Sequence, residues 1–194
     1  MTTIHRYRSA ALAGAGALLV PLSLAALAPV AHAGQVTEPF GPACASLPTS
    51  GEGSAAGMAG DPVAAAASNT PELSTLVSAV QKAGLVDTLN NADGITVFAP
   101  TNDAFEKIPK AELDKILNDK EQLTDLLTYH VVEQDVTVEE LPKGTFTTLQ
   151  GGQVTTSGSG ESFKVNDSAS IVCGDVATEN ATVHLIDTVL MPKS

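Results

Sequence analysis

The ten residues from Thr96 to Phe105, reading Thr-Val-Phe-Ala-Pro-Thr-Asn-Asp-Ala-Phe, constrain this chain more than any other stretch. Ile95 to Ala99 is short, apolar and suited to a strand. Pro100 bars its continuation as a ladder and biases Ala99 toward an extended backbone. Thr101 then offers a hydroxyl to the free amides of a new helical turn, Asn102 and Asp103 place polar and negative groups at its positive end, and Phe105 reaches back to the core. Strand, breaker, cap and anchor share one decapeptide, so a strand-to-helix corner lies near the middle of the fold.

The stretches on either side of that corner follow different periods. Residues 34–60 are rich in Gly, Pro, Ser and Ala with no period, which predicts a lightly structured leader ordered mainly near Cys44. Asp61-Pro62 reads as a cap with proline at the first helical position, leading into Ala64 to Ala67, and Thr70-Pro71 repeats the device. Leu73, Leu76, Val77 and Val80 then form one apolar stripe on a helix that Gly84 ends, and Asn90 to Gly94 turns the chain into the strand. Beyond the corner, Leu113, Ile116 and Leu117 mark one amphipathic helix, and Leu123, Leu126 and Leu127 mark the next. His130, seven residues after Leu123, falls on the buried stripe. From Val131 the period shifts toward two, with strands predicted at 145–149, 153–157, 162–165, 169–176 and 182–190. Helices in the first half and strands in the second predict an α+β domain, with the helices packed on a largely antiparallel sheet.

Residues 1–33 combine Arg6 and Arg8, an uncharged apolar run from Ala10 to Leu27, and Ala31-His32-Ala33, the pattern of a cleaved export signal. The predicted organisation is a signal peptide over 1–33, a leader over 34–60 and one domain over 61–194. The chain of 194 residues carries a net charge of −12. Because 1–33 holds two of the ten basic residues and none of the 22 acidic ones, the exported part carries −14. Such a surface repels phosphate, which argues against nucleic acid and anionic lipid as partners and against stable membrane insertion after cleavage. Cys44 and Cys173 are the only cysteines, and in an exported protein they are expected to pair. Closing so long a loop would stabilise the fold by about 5 kcal/mol at most.

The search for chemistry yields little. Only His130 and His184 lie outside the signal. His184 and Asp187 are three apart in a strand, on opposite faces, which disfavours a zinc site. No nucleophile elbow, Walker loop, dinucleotide fingerprint or calcium spacing occurs. No cofactor is predicted. His130 reads as a core histidine bonded to backbone or to a cap residue such as Asn102 or Asp103. Asp187, interrupting the apolar face of Val183, Leu185 and Val189, reads as a structural carboxylate that needs hydrogen bonds.

Three motifs carry a resemblance. Thr96 to Phe105 resembles the first signature motif of the fasciclin domain, Leu127-Thr128-Tyr129-His130 its tyrosine-histidine motif, and Val183-His184-Leu185-Ile186-Asp187 its second signature motif. The likeness runs from about Gly57 to Pro192, and Gly57-Met58, Asp61-Pro62-Val63-Ala64 and Ser68-Asn69 narrow it to the secreted, immunogenic single-domain fasciclin proteins of mycobacteria and their relatives. Thr101, Asn102, Asp103, Phe105, His130 and Asp187 are then motif positions with structural roles. The resemblance implies a secreted, extracellular, non-catalytic adhesion module and antigen whose partner is an extracellular or host cell-surface protein. Tyr129 and His130, together with Asp175-Val176, become candidate contact residues, because the matching positions in animal fasciclin domains serve integrins. Cys173-Gly174 precedes Asp175 where the animal motif has Asn-Lys. Two other readings compete: a carrier of an apolar cell-envelope ligand held between helices and sheet, and a hydrolase using His130 or His184.

Overall fold

The structure is a computed structural model that describes residues 38–192; the expected signal segment lies outside them. Four helices come first: α1 (Ala55–Met58), α2 (Val63–Ser68), α3 (Ser74–Ala83) and α4 (Val86–Asn90). Strand β1 (Ile95–Pro100) follows, then α5 (Asn102–Glu106), α6 (Lys110–Asn118) and α7 (Lys120–Tyr129). The remainder is strand: β2 (Val131–Val132), β3 (Lys143–Thr147), β4 (Gln153–Ser159), β5 (Ser162–Val165), β6 (Ala169–Ala177) and β7 (Ala181–Ile186). This is the α+β arrangement that the two periods predict.

Local chemistry sets the helix ends. In α3 the residues Leu76, Ala79, Val80 and Ala83 face inward, and Gly84 stops the helix at a left-handed φ of 75°, its N–H bonding the Val80 carbonyl at 3.0 Å. Asp119 starts α7 by accepting the Gln122 and Glu121 amides, and Gln122, through its backbone and side-chain N–H groups, does most to hold its carboxyl below the usual range. The start of α2 departs from expectation. Its first two amides bond the side chains of Asn180 (2.9 Å) and Asn90 (3.0 Å) rather than that of Asp61.

The seven strands form one sheet in the order β2-β1-β7-β6-β5-β4-β3. Every neighbouring pair is antiparallel except β1 and β7, which run parallel from Ile95↔Ala181 to Pro100↔Ile186. The outer strands meet as well. Val132 bridges Thr148, just beyond β3, and the Leu149 N–H reaches the Val131 carbonyl at 2.7 Å, so the sheet closes almost into a barrel. Closure removes the open edges that a sheet would otherwise present.

Two cores result. Met58, Leu73, Leu76, Leu89 and Leu123 pack with Ile95, Val97, Ala99, Val183 and Leu185 between helices and sheet. Phe98, Val132, Val136, Leu141, Phe146, Val154, Phe163 and Ile186 fill the other side. Both faces of β1 are thus covered, which is why the strand is buried along its whole length rather than on alternate residues, its one polar side chain, Thr96, bonding the Gln134 carbonyl and the Val136 N–H.

The leader and the last strand differ from their sequence readings. Leu47, Ser54 and Met58 are buried, Phe40 and Gly174 exchange backbone hydrogen bonds at 3.1 and 2.8 Å, and the Phe40 ring lies edge-on to Phe163. A Cβ on Gly174 would sit 2.2 Å from that ring, so only glycine admits the contact. The disulfide Cys44–Cys173 fastens the same region to β6 across 129 residues. Few of these anchors are periodic, so the spacing of residues 34–60 could not reveal them. Strand β7 ends at Ile186 rather than Leu190 because Asp187 turns back to bond Ser170.

Candidate functional site

His130 caps the C-terminus of α7 and is 2% exposed. Its Nδ1–H donates to the Leu126 carbonyl at 2.8 Å, and its Nε2 accepts the Leu190 N–H at 2.9 Å. One donor and one acceptor define the neutral ring. Burial pushes its pKa down to about 4, only partly offset by the Leu126 carbonyl. Neither Asn102 nor Asp103 takes part in this bracing. The neighbouring Tyr129 is 4% exposed, and its hydroxyl donates to the Gln153 carbonyl at 2.9 Å and accepts from Asn166 Nδ2 at 3.0 Å. The structure therefore places the expected Tyr129-His130 contact pair inside the protein, with its polar atoms spent on internal partners.

Asp175 and Val176 occupy an irregular step in β6, where the pairing with β7 slips. Asp175 takes a left-handed φ of 61°, and its N–H donates to His184 Nδ1 at 3.0 Å. Its half-buried carboxyl is pushed up by burial and then by the charges of Asp135 and Glu139. Val176 is fully buried, so of this expected pair only Asp175 keeps surface in solvent. His184, also fully buried, stacks on Phe98 with ring centroids 5.5 Å apart. Its Nε2 makes no hydrogen bond of ordinary geometry among the described residues. Burial pushes its pKa down to about 4, with the Val136 backbone opposing slightly.

The corner residues do what their chemistry implies. Thr101 accepts the Ala104 N–H at 3.4 Å as cap of α5, and Phe105 is buried. Asn102 reaches sideways, accepting the Thr75 N–H at 3.0 Å and donating to the Pro71 carbonyl at 2.9 Å, so it welds α5 to the start of α3. Asp103 is exposed. Asp187 accepts the Ser170 N–H at 2.8 Å and lies 3.3 Å from Lys107 Nζ. Burial alone would raise its pKa, but Ser170, Thr188 and Lys107 together outweigh it and hold the carboxyl low.

Of the hollows among the described residues, three bear on function. An apolar cavity of about 30 Å³ lies between helices and sheet, lined by residues such as Met58, Ala66, Leu73 and Val97. A groove of about 670 Å³ runs along α6, α7 and Met191. A third, of about 370 Å³, opens beside Tyr129 and is lined by polar residues. Among the described residues no group of three or more His, Cys, Asp or Glu could hold a metal ion, and no helix is long and apolar enough to cross a membrane. Sequence reasoning missed Asn180, whose amide also donates to the Leu89 and Ala92 carbonyls, and Asn166. Both lie in Asn-x-Ser/Thr triplets, a pattern that signals glycosylation rather than buried bracing.

The comparisons with known proteins agree with this architecture. A fasciclin domain model matches residues 71–192. Immunogenic protein MPB70 of Mycobacterium bovis is 47% identical over 193 residues, 95% of this chain and 94% of its own length. Cell surface glycolipoprotein MPB83 of the same species is 51% identical over 147 residues, 73% of this chain and 66% of the relative. Among solved structures, a FAS1 domain pair from the insect cell adhesion molecule fasciclin I superposes with a TM-score of 0.58 at 20% identity, covering 70% of this chain and 52% of that one. The corner at Pro100, the buried tyrosine-histidine pair and these matches lead to one conclusion: the chain belongs to the fasciclin domain family.

Proposed function

We propose that the protein is an exported, non-catalytic binding module that acts by surface contact with an extracellular or cell-surface protein. The observation that carries the reading is the state of the two histidines. Both imidazoles are sealed, His130 with both nitrogens bonded to backbone and His184 with one, so neither faces a nucleophile as a hydrolase would require. The names of the relatives, immunogenic and cell-surface, support a location outside the cell. Of the expected contact set, Asp175 keeps part of its surface in solvent. The apolar-carrier reading finds its cavity in the expected place, but a volume of about 30 Å³ holds about one water and no acyl chain.

The test is a screen of the purified domain, residues 34–194, against extracellular matrix proteins and cell-envelope material by surface plasmon resonance. Saturable binding weakened by Asp175→Ala is the expected outcome. Absence of saturable binding to every component would overturn the reading, as would turnover of an ester or peptide substrate that is lost in His130→Gln or His184→Gln.

A further inference from the structure

The Tyr129 hydroxyl organises a polar cluster beside which the 370 Å³ groove opens. Asn166, which donates to that hydroxyl, accepts the Thr155 N–H at 3.0 Å through Oδ1. Asn166 and Asp167 both take left-handed φ values, 50° and 55°, and the Ser168 N–H closes on the Val165 carbonyl at 3.2 Å. This is a two-residue hairpin turn of the primed type, which Asn and Asp tolerate. It joins β5 to β6 and is tied down through Asn166 to both α7 and β4. The position of Asp167 beside the groove is therefore set by the fold. On the opposite side Gly152 lies against the Tyr129 ring so closely that a Cβ would meet it at 2.9 Å.

The groove keeps unspent hydrogen-bonding capacity. The Gln153 side-chain amide has no partner among the described residues. Gln150 uses only Oε1, for the Gly152 N–H at 3.2 Å, and Asp167 uses one carboxylate oxygen, for the Ser157 hydroxyl at 3.3 Å. Amides that both donate and accept, set around one carboxylate, match a ligand bearing several neighbouring hydroxyls. A volume of about 370 Å³ lies at the small end of the range of ~300–1,000 Å³ typical of small-molecule sites. Anions are disfavoured by Asp167 and by the chain's net charge of −12, and apolar ligands by the amides they would desolvate.

We propose that this groove binds a neutral sugar, with Asp167 and Gln153 bonding ring hydroxyls. The proposal rests on the reading of the domain as a contact module and names what this groove would hold: a sugar displayed on the partner's surface.

The experiment is an NMR titration of ¹⁵N-labelled domain with methyl glycosides of glucose, mannose, galactose and arabinose, with calcium chloride and sodium phosphate in parallel. Saturable shifts confined to the amides of 150–155 and 166–167 are expected with at least one glycoside. Affinity should fall roughly tenfold or more in Asp167→Asn and in Gln153→Ala, both at exposed positions and both expected to melt as the wild type does. Absence of saturation with all four glycosides overturns the proposal, as do shifts that the two variants leave unchanged or shifts produced by the salts alone. A protein ligand found in the surface-plasmon screen alongside failed glycoside titrations would remove the sugar site and leave the contact-module reading standing.

Discussion

His130 Nε2 accepts the amide proton of Leu190 at 2.9 Å, tying the end of α7 to a segment 60 residues later. Because the same ring donates to Leu126, one side chain satisfies groups on a helix and on the returning C-terminal segment. His130→Ala removes both bonds and leaves a void in a site 2% exposed. The expected cost is about 3–5 kcal/mol, combining an unmet buried amide with a cavity, read as a lower urea midpoint at unchanged slope. His130→Gln, which keeps polar atoms, should lose less.

Acid should destabilise the fold through its two buried histidines. Each has a folded pKa near 4 against an ordinary value of 6.5, so the unfolded chain binds more protons between those limits. The stability they contribute is complete above pH 6.5 and is lost progressively as pH falls toward 4, by roughly 3 kcal/mol for each ring at most. Asp175, whose carboxyl is raised, works in the opposite sense and softens the decline. Urea midpoints measured from pH 7 to pH 4 should drop steadily, and His184→Gln should flatten the curve.

Asn180 is expected to matter more than its position in the three-residue connection between β6 and β7 suggests. Its side chain accepts the Val63 N–H and donates to the Leu89 and Ala92 carbonyls. Asn180→Ala should cost about 1–3 kcal/mol by unmaking a helix cap and two turn contacts. Hydrogen exchange should speed up at the first amides of α2 and in residues 90–94, while β3 and β4 remain protected.

Opening the disulfide should release the leader before the barrel. The Cys44→Ser, Cys173→Ser double variant is expected to lose about 2–5 kcal/mol and to gain exchange at Phe40 and Leu47, which the bridge holds against β6, and at Gly174 of β6, which pairs with Phe40. Unchanged protection at the Phe40 and Gly174 amides would show that the Phe40–Phe163 contact alone fastens the segment.

Local signals survived into the fold where one neighbourhood decides the outcome. Pro100 ends β1, Thr101 caps α5, and Gly84 stops α3, because each acts on backbone within one turn of itself. The cysteine pairing was legible for a different reason, since two cysteines leave one choice of partner. Tyr129 stood among the candidate contact residues because nothing near it in the chain announces Asn166, 37 residues on, as the partner of its hydroxyl. Asp61 was read as the cap of α2 because local spacing cannot show that Asn180, 117 residues away, arrives at the same amide.

The order of the amino acids alone determined where helices give way to strands, which faces are apolar, and that residues 34–194 are acidic with one possible cross-link. Tertiary structure alone decided that β1 and β7 run side by side in parallel, that β2 meets the end of β3 to close the sheet, and that both histidines lie out of water. The division has a physical cause. Periodicity and capping report interactions spanning a few residues, whereas strand partners, burial of a ring and the walls of a groove depend on segments that come together only when the whole domain packs.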